Sequence, residues 1–231
     1  MTISDPSALR SQTELMPRYY AQRAQEYERV FDRPHRQPDI ATLKRWLRQQ
    51  FAGRSVLEVA SGTGFWLPEA TAEARAWQGS DLNEEVLALA RSKPLDFAKV
   101  QFRAADAYAL DFVAPGAASP YDAGFAGLWF SHVPRSRQAD WLAQFHAQLQ
   151  PGARVVLIDN AYVEGDSTPI ARVDAEGNGY QLRQLSDGSQ HEVMKNFPDE
   201  VQLRALLGPR VRDWQWLPLR YFWALSYTLA P

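Results

Sequence analysis

The chain has 231 residues, 45% of them hydrophobic and 12% aromatic, enough for a sizeable core within one large α/β unit. Its 25 Lys and Arg nearly balance 27 Asp and Glu, for a formal net charge of −2, and no run of like charges forms an arm. Neither nucleic acid nor a membrane surface is therefore expected as a partner, and the absence of cysteine removes disulfides, thiolate metal sites and cysteine nucleophiles together.

In chain order, the opening "MTISDPSALRSQTELMPRYY" shows no basic segment followed by an apolar one, and no apolar run reaches membrane length. A cytoplasmic protein is the expectation. A helix rich in Tyr and Arg is predicted around Arg18–Phe31, ending before the loop of Pro34 and Pro38, and a second over Ile40–Phe51. Short apolar strands then alternate with helices: strand Ser55–Ala60, helix Trp66–Ala74, strand Ala76–Asp81, helix Glu84–Lys93 and strand Val100–Ala104. After the Pro/Gly/Ala/Ser connection "APGAASP", strand Tyr121–Phe130, helix Ser136–Leu149 and strand Arg154–Asp159 continue the rhythm. Strand, helix, strand at this spacing predicts right-handed crossovers and a parallel sheet.

The rhythm changes beyond residue 160. Gly179–Leu185 and Gln190–Asn196 flank "SDGS", whose Asp187-Gly188 pair favours a tight turn, so a β-hairpin outside the parallel sheet is expected. Pro198–Leu207 reads as a helix, and Val211–Leu219 with Arg220–Leu229 read as antiparallel neighbours at one edge.

The stretch "VLEVASGTGFW" (56–66) runs a buried strand into Gly-x-Gly, where the backbone turns sharply and a ligand can approach without meeting a Cβ. A pyrophosphate cradle would place a small third residue where Leu67 stands, and the phosphate loop ending in Gly-Lys is absent. Asp81 closes the next strand, placed to accept hydrogen bonds from both ribose hydroxyls of a nucleoside, and Asp106-Ala107 follows the third strand, placed for an adenine amino group. Glu58 lies inside the first strand, where a buried acid needs donors nearby.

This ordered set resembles the class I S-adenosylmethionine-dependent methyltransferases: "VLEVASGTGFW", "SDLN", "AADAYAL", "YDAGFAGLWFSHVP" and "LQPGARVVLID", over about Tyr19 to Leu229. The resemblance implies a Rossmann-like seven-stranded sheet with its last strand antiparallel, N-terminal helices and a β-hairpin over the substrate. It implies one domain: a helical cap (1–51), a cofactor-binding core (52–159), a substrate-facing insertion (160–197) and a C-terminal helix with antiparallel strands (198–231). To S-adenosylmethionine it assigns Glu58, Ala60, Ser61, Gly62, Gly64 and Trp66, then Asp81 with Leu82, Asp106 with Ala107, and Trp129. In "YYAQRAQEYERVF", a helix of similar pattern covers the cofactor and borders the acceptor, which gives Tyr20 and Arg23 to the cofactor and Tyr19 to the acceptor.

Segment 160–197 carries Arg183 and Lys195, which would clamp an anion if their hairpin faces coincide. "RQLSDGSQHEVMKNF" also resembles a subgroup that includes an O-methyltransferase of phosphonate natural-product biosynthesis, and this favours an acidic acceptor. His132, in "FSHVP" after the fourth strand, is the candidate general base for a hydroxyl or ammonium acceptor; an anionic acceptor needs none. Asp159-Asn160 is similar to the metal-binding pair of catechol methyltransferases, but the fourth strand ends without a third carboxylate, so no metal is expected and Asp159 is assigned to the substrate with Tyr162. The expected reaction is methyl transfer to a small polar or anionic metabolite, to oxygen rather than nitrogen. Two rivals are a non-catalytic nucleoside-binding scaffold of the same fold and a nicotinamide-dependent oxidoreductase, which Leu67 opposes. Monomer and homodimer remain open.

Overall fold

A computed structural model of the chain describes residues 27–185 and 187–230. The expected helix around Arg18–Phe31 lies mostly outside them; Tyr27–Phe31 forms a 3-10 helix. Seven strands make the main sheet: β1 (Ser55–Val59), β2 (Ala76–Asp81), β3 (Val100–Ala104), β4 (Ala123–Gly127), β5 (Arg154–Asn160), β9 (Val211–Pro218) and β10 (Phe222–Leu229). Their order is β3-β2-β1-β4-β5-β10-β9. The first five are parallel, while β10 runs antiparallel to both β5 and β9. The reversed strand of the sequence prediction is thus inserted between two others.

Alternation along the strands divides the core between the two sheet faces. Val56, Val156, Ile158, Phe222 and Ala224 enter one cluster, and Leu57, Val155, Leu157, Trp223, Leu225 and Tyr227 the other. On the first face, α1 (Gln37–Phe51) lays Ile40, Leu43, Leu47 and Phe51, spaced three and four apart, against the sheet. Phe51 meets Trp77 and Phe125 edge-on at 5.1 and 5.4 Å. Burying each such side chain stabilises the fold by roughly 1.5–3 kcal/mol. The second face is covered by α4 (Gln138–Ala147), through Trp141, Leu142 and Phe145, and by α5 (Glu200–Leu207), through Leu203 and Leu207. Asp199 and Gln202 start α5 with reciprocal side-chain to backbone hydrogen bonds.

Other elements are shorter than the sequence suggests. The helix after the glycines is confined to α2 (Leu67–Ala70), and the next is α3 (Glu84–Arg91). β4 stops at Gly127 because Leu128 adopts φ 61°, a left-handed conformation that ends a strand. The hairpin forms as β7 (Gly179–Gln184) and β8 (Gln190–Met194). A strand missed in the sequence, β6 (Ile170–Val173), pairs with β7 and makes a separate three-stranded sheet. Its mostly exposed residues carry no period-2 apolar signal; Arg172 ion-pairs with Glu192 across the sheet instead.

Candidate active site

The carboxyl ends of the parallel strands gather the polar groups, and sheet order reverses between β1 and β4, where ligands bind in open α/β sheets. Both of these strands end in a left-handed non-glycine residue, Ala60 at φ 55° and Leu128 at φ 61°, a strained pair at one edge. Beyond Ala60, Gly62 (φ 56°) and Gly64 (φ 74°) have different tasks. A Cβ on Gly62 would meet nothing within 4 Å, so its backbone borders open space, whereas one on Gly64 would sit 2.8 Å from Leu67 Cδ1 and 3.1 Å from Ala90 Cβ. Gly64 is required by packing of the loop on α2 and α3.

Asp81 fixes this loop from the end of β2. Its Oδ2 accepts from Gly62 N–H at 3.0 Å and its Oδ1 from Asn83 N–H at 3.0 Å, leaving each oxygen further acceptor capacity. Burial pushes the Asp81 carboxyl above its ordinary range despite these bonds. Glu58 is 2% exposed, and its Oε2 accepts from Trp77 Nε1 at 2.9 Å and Ser61 Oγ at 2.8 Å. Burial still outweighs these donors and pushes the carboxyl up to about 7.

A cavity of about 410 Å³ opens beside this edge, reached by Leu128, His132 and Asn160 from the sheet, Arg29, Arg33 and Arg36 from the N-terminal segment, and Gln181, Arg183 and Lys195 from the small sheet. His132 Nδ1 lies 2.6 Å from the Met194 carbonyl, which can only accept, so this nitrogen carries the proton and Nε2 is the acceptor of the neutral ring. Ser131 and Lys195, the neighbours of that pair, are joined too. Lys195 Nζ donates to Ser131 Oγ at 2.6 Å and to Asp159 Oδ1 at 2.7 Å, and Asp159 Oδ2 accepts from Ser131 N–H at 2.9 Å.

A family profile described as "Methyltransferase domain" matches residues 56–152. No curated protein matches the chain. Among solved structures, a complex of DhpI with SAH is 25% identical, covers 96% of this chain and 98% of its own, and has a TM-score of 0.71. A DhpI–SAM–HEP complex is also 25% identical, covering 98% and 99% with a TM-score of 0.73. The chain carries a methyltransferase domain and has the fold of the class I S-adenosylmethionine-dependent methyltransferases. The fold recurs in the 1,6-didemethyltoxoflavin-N1-methyltransferase of Burkholderia thailandensis, 16% identical over 100% of this chain and 93% of that one, with a TM-score of 0.61.

The methyltransferase fits its cofactor, S-adenosylmethionine, at this edge: Gly62 leaves space where a Cβ would stand, Asp81 offers acceptors, and the buried Trp129 Nε1 has no hydrogen-bond partner among the described residues. Asp106 Oδ1 accepts from Tyr108 N–H at 2.8 Å, and Leu82 is exposed. Other sequence candidates of the methyltransferase have contacts within the fold. Trp66 is in the core against Phe31 and Phe222, and buried Ala107 accepts from Trp141 Nε1 at 2.9 Å. Tyr162 is 39% exposed, packs on Phe197 and lies outside the cavity lining. Tyr19, Tyr20 and Arg23 fall outside the described residues. Asp159 is engaged by Lys195 and Ser131, and no group of three His, Asp or Glu among the described residues is arranged to hold a metal ion.

Arg183 and Lys195 of the methyltransferase line one cavity. The register pairs Arg183 with His191, about 13 Å along the strand from Lys195. Sequence reasoning passed over Glu28, which accepts from Thr63 Oγ1 at 2.7 Å and from Lys93 at 2.7 and 2.8 Å, docking the N-terminal segment on the glycine loop. It also passed over Asp166, which accepts from Arg33 at 3.1 Å, His35 at 2.7 Å and Arg36. Among the described residues no helix is long and apolar enough to cross a membrane.

Proposed function

We propose that the methyltransferase acts on a small polar or anionic metabolite, with transfer to oxygen favoured over nitrogen. The observation that carries this reading is the charge of the cavity: Arg29, Arg33, Arg36, Arg183 and Lys195 line it, against Asp166 as the one carboxylate among its described lining residues. Such a surface favours an acceptor that brings negative charge. The small molecule HEP in the DhpI–SAM–HEP complex and 1,6-didemethyltoxoflavin in the Burkholderia enzyme support a small-molecule acceptor.

When bound, S-adenosylmethionine supplies an electrophilic methyl group on a sulfonium. In our reading Gly62 and its neighbours Ala60 and Ser61 carry the amino-acid end, Asp81 takes the ribose hydroxyls, and Asp106, Leu82 and Trp129 border the adenine. The chain then has to exclude water, hold the acceptor oxygen in line and, for a hydroxyl acceptor, take its proton. His132 Nε2 is the acceptor for that proton, its ring oriented by the Met194 carbonyl. For an oxyanion acceptor, cationic positioning suffices.

The test is incubation with S-adenosylmethionine and a panel of small hydroxyl compounds, carboxylates and phosphonates, reading S-adenosylhomocysteine release and methyl gain by mass spectrometry. Turnover of acidic members supports the reading; turnover of cationic or purely apolar members alone overturns it. Arg183→Ala is expected to spare S-adenosylhomocysteine binding while lowering acceptor turnover, and His132→Gln to lower turnover of hydroxyl compounds more than of oxyanions.

A further inference from the structure

The cations of the cavity are not equivalent. Lys195 is compensated within the fold by Asp159, and Arg183 directs Nε and Nη2 at Gln181 Oε1, 3.2 and 2.8 Å away. The N-terminal wall differs: Arg33 and Arg36 share the single carboxylate of Asp166, and exposed His35 draws on the same Oδ1 as Arg33.

Arg36 stands apart from Arg33 by its burial. It is 7% exposed, its guanidinium lies 5.5 Å from the ring centre of Tyr221 and 5.9 Å from that of Phe222, and it lines the cavity. Its Nη2 donates to Asp166 Oδ2, but its Nε, also buried, has no partner among the described residues. Nε–H and one Nη–H form the fork with which arginine grips two oxygens of a carboxylate or phosphate. Arg33 and His35 draw Asp166 Oδ1 away, so Asp166 fills half of that fork. A buried donor without an acceptor is costly, and a desolvated guanidinium that shares its counter-ion attracts anions strongly.

We propose that Arg36 receives an oxyanion of the methyl acceptor, a carboxylate, phosphate or phosphonate group, while Asp166 holds its guanidinium in place. The assignment rests on the anionic-acceptor reading above and gives that reading its specificity-determining residue. Arg36 comes from the "RPHRQ" turn before α1, so the substrate is gripped by the N-terminal segment as well as by the small sheet.

The experiment is calorimetric titration of the S-adenosylhomocysteine-loaded protein with inorganic phosphate and, separately, malonate, which distinguishes tetrahedral from planar oxyanions. Arg36→Gln is expected to weaken binding of the preferred probe by about tenfold or more. Arg36→Lys, which keeps the charge without the fork, is expected to fall nearer to Arg36→Gln than to the wild type. Arg75→Gln removes the same charge from the far edge of the sheet, where Arg75 pairs with Asp122, and is expected to bind as the wild type does. Binding of S-adenosylhomocysteine should be unchanged in all three. Retention of probe affinity within about twofold in Arg36→Gln and Arg36→Lys overturns the assignment alone. Failure of the wild-type protein to bind either probe overturns the anionic-acceptor reading and the assignment with it. Should Arg36→Gln not fold, the loss in Arg36→Lys decides.

Discussion

Lys195 Nζ lies 2.7 Å from Asp159 Oδ1 with both side chains sealed from solvent, tying the end of the small sheet to β5 of the main one. Removing one member strands a buried charge, so Lys195→Met is expected to destabilise the protein by roughly 3–5 kcal/mol. Combining it with Asp159→Asn should recover much of the loss. Chemical denaturation of the two single variants and the double variant gives the coupling directly, and additive losses would show that the pair is not an energetic unit.

Asp81→Ala removes the acceptor of two backbone N–H groups and, in our reading, of the ribose hydroxyls. Cofactor affinity should weaken by roughly 1–3 kcal/mol. Unaltered S-adenosylhomocysteine binding in a folded variant would remove the ribose assignment.

Glu58 predicts a pH dependence with a definite sign. Its carboxyl rises from an ordinary 4.5 to about 7 on folding, so its favourable contribution is full below the unfolded value and is lost as pH rises through about 7. Glu58→Gln keeps an acceptor for Trp77 and Ser61 without the charge. Its stability relative to wild type is expected to improve by roughly 3 kcal/mol between about pH 4.5 and pH 8, read from urea unfolding across that range. A difference independent of pH would place the titration elsewhere.

The two glycines of "GTG" should separate binding from folding. Gly64→Ala is expected to lower the melting temperature markedly, because strain at φ 74° adds to a clash with Leu67 and Ala90. Gly62→Ala meets open space and costs about 1–2 kcal/mol of backbone strain, but it should sharply weaken S-adenosylhomocysteine binding because the Cβ enters the cofactor's approach. Equal binding losses in folded forms of both variants would contradict this division.

The sheet was legible because buried parallel strands read as short apolar runs such as "VLEV" and "VVLI", and the carboxylates follow them at regular intervals. Helix α1 was legible from its period. What escaped depends on distance along the chain: Arg36 and Asp166 are 130 residues apart, and Lys195 and Asp159 are 36 apart, spacings that carry no local pattern. The packing of Trp66 and Gly64 was illegible for another reason, since a residue beside a ligand loop and one packing beneath it have the same sequence neighbourhood. Density of basic residues in "RPHRQ" was the available hint to Arg36.

The place of β10 between β5 and β9 has a consequence for how the protein is made. Residues 222–229 feed both faces of the core and bridge two strands that otherwise never touch, so no fragment ending before residue 222 can join β9 to the sheet or cover β5. On the ribosome, β1 to β5 emerge first with the apolar edge of β5 uncovered, and closure waits for a strand some sixty residues later in sequence. Nascent chains stalled before that point should need chaperone cover, and their resistance to protease should rise abruptly once residue 229 clears the exit tunnel.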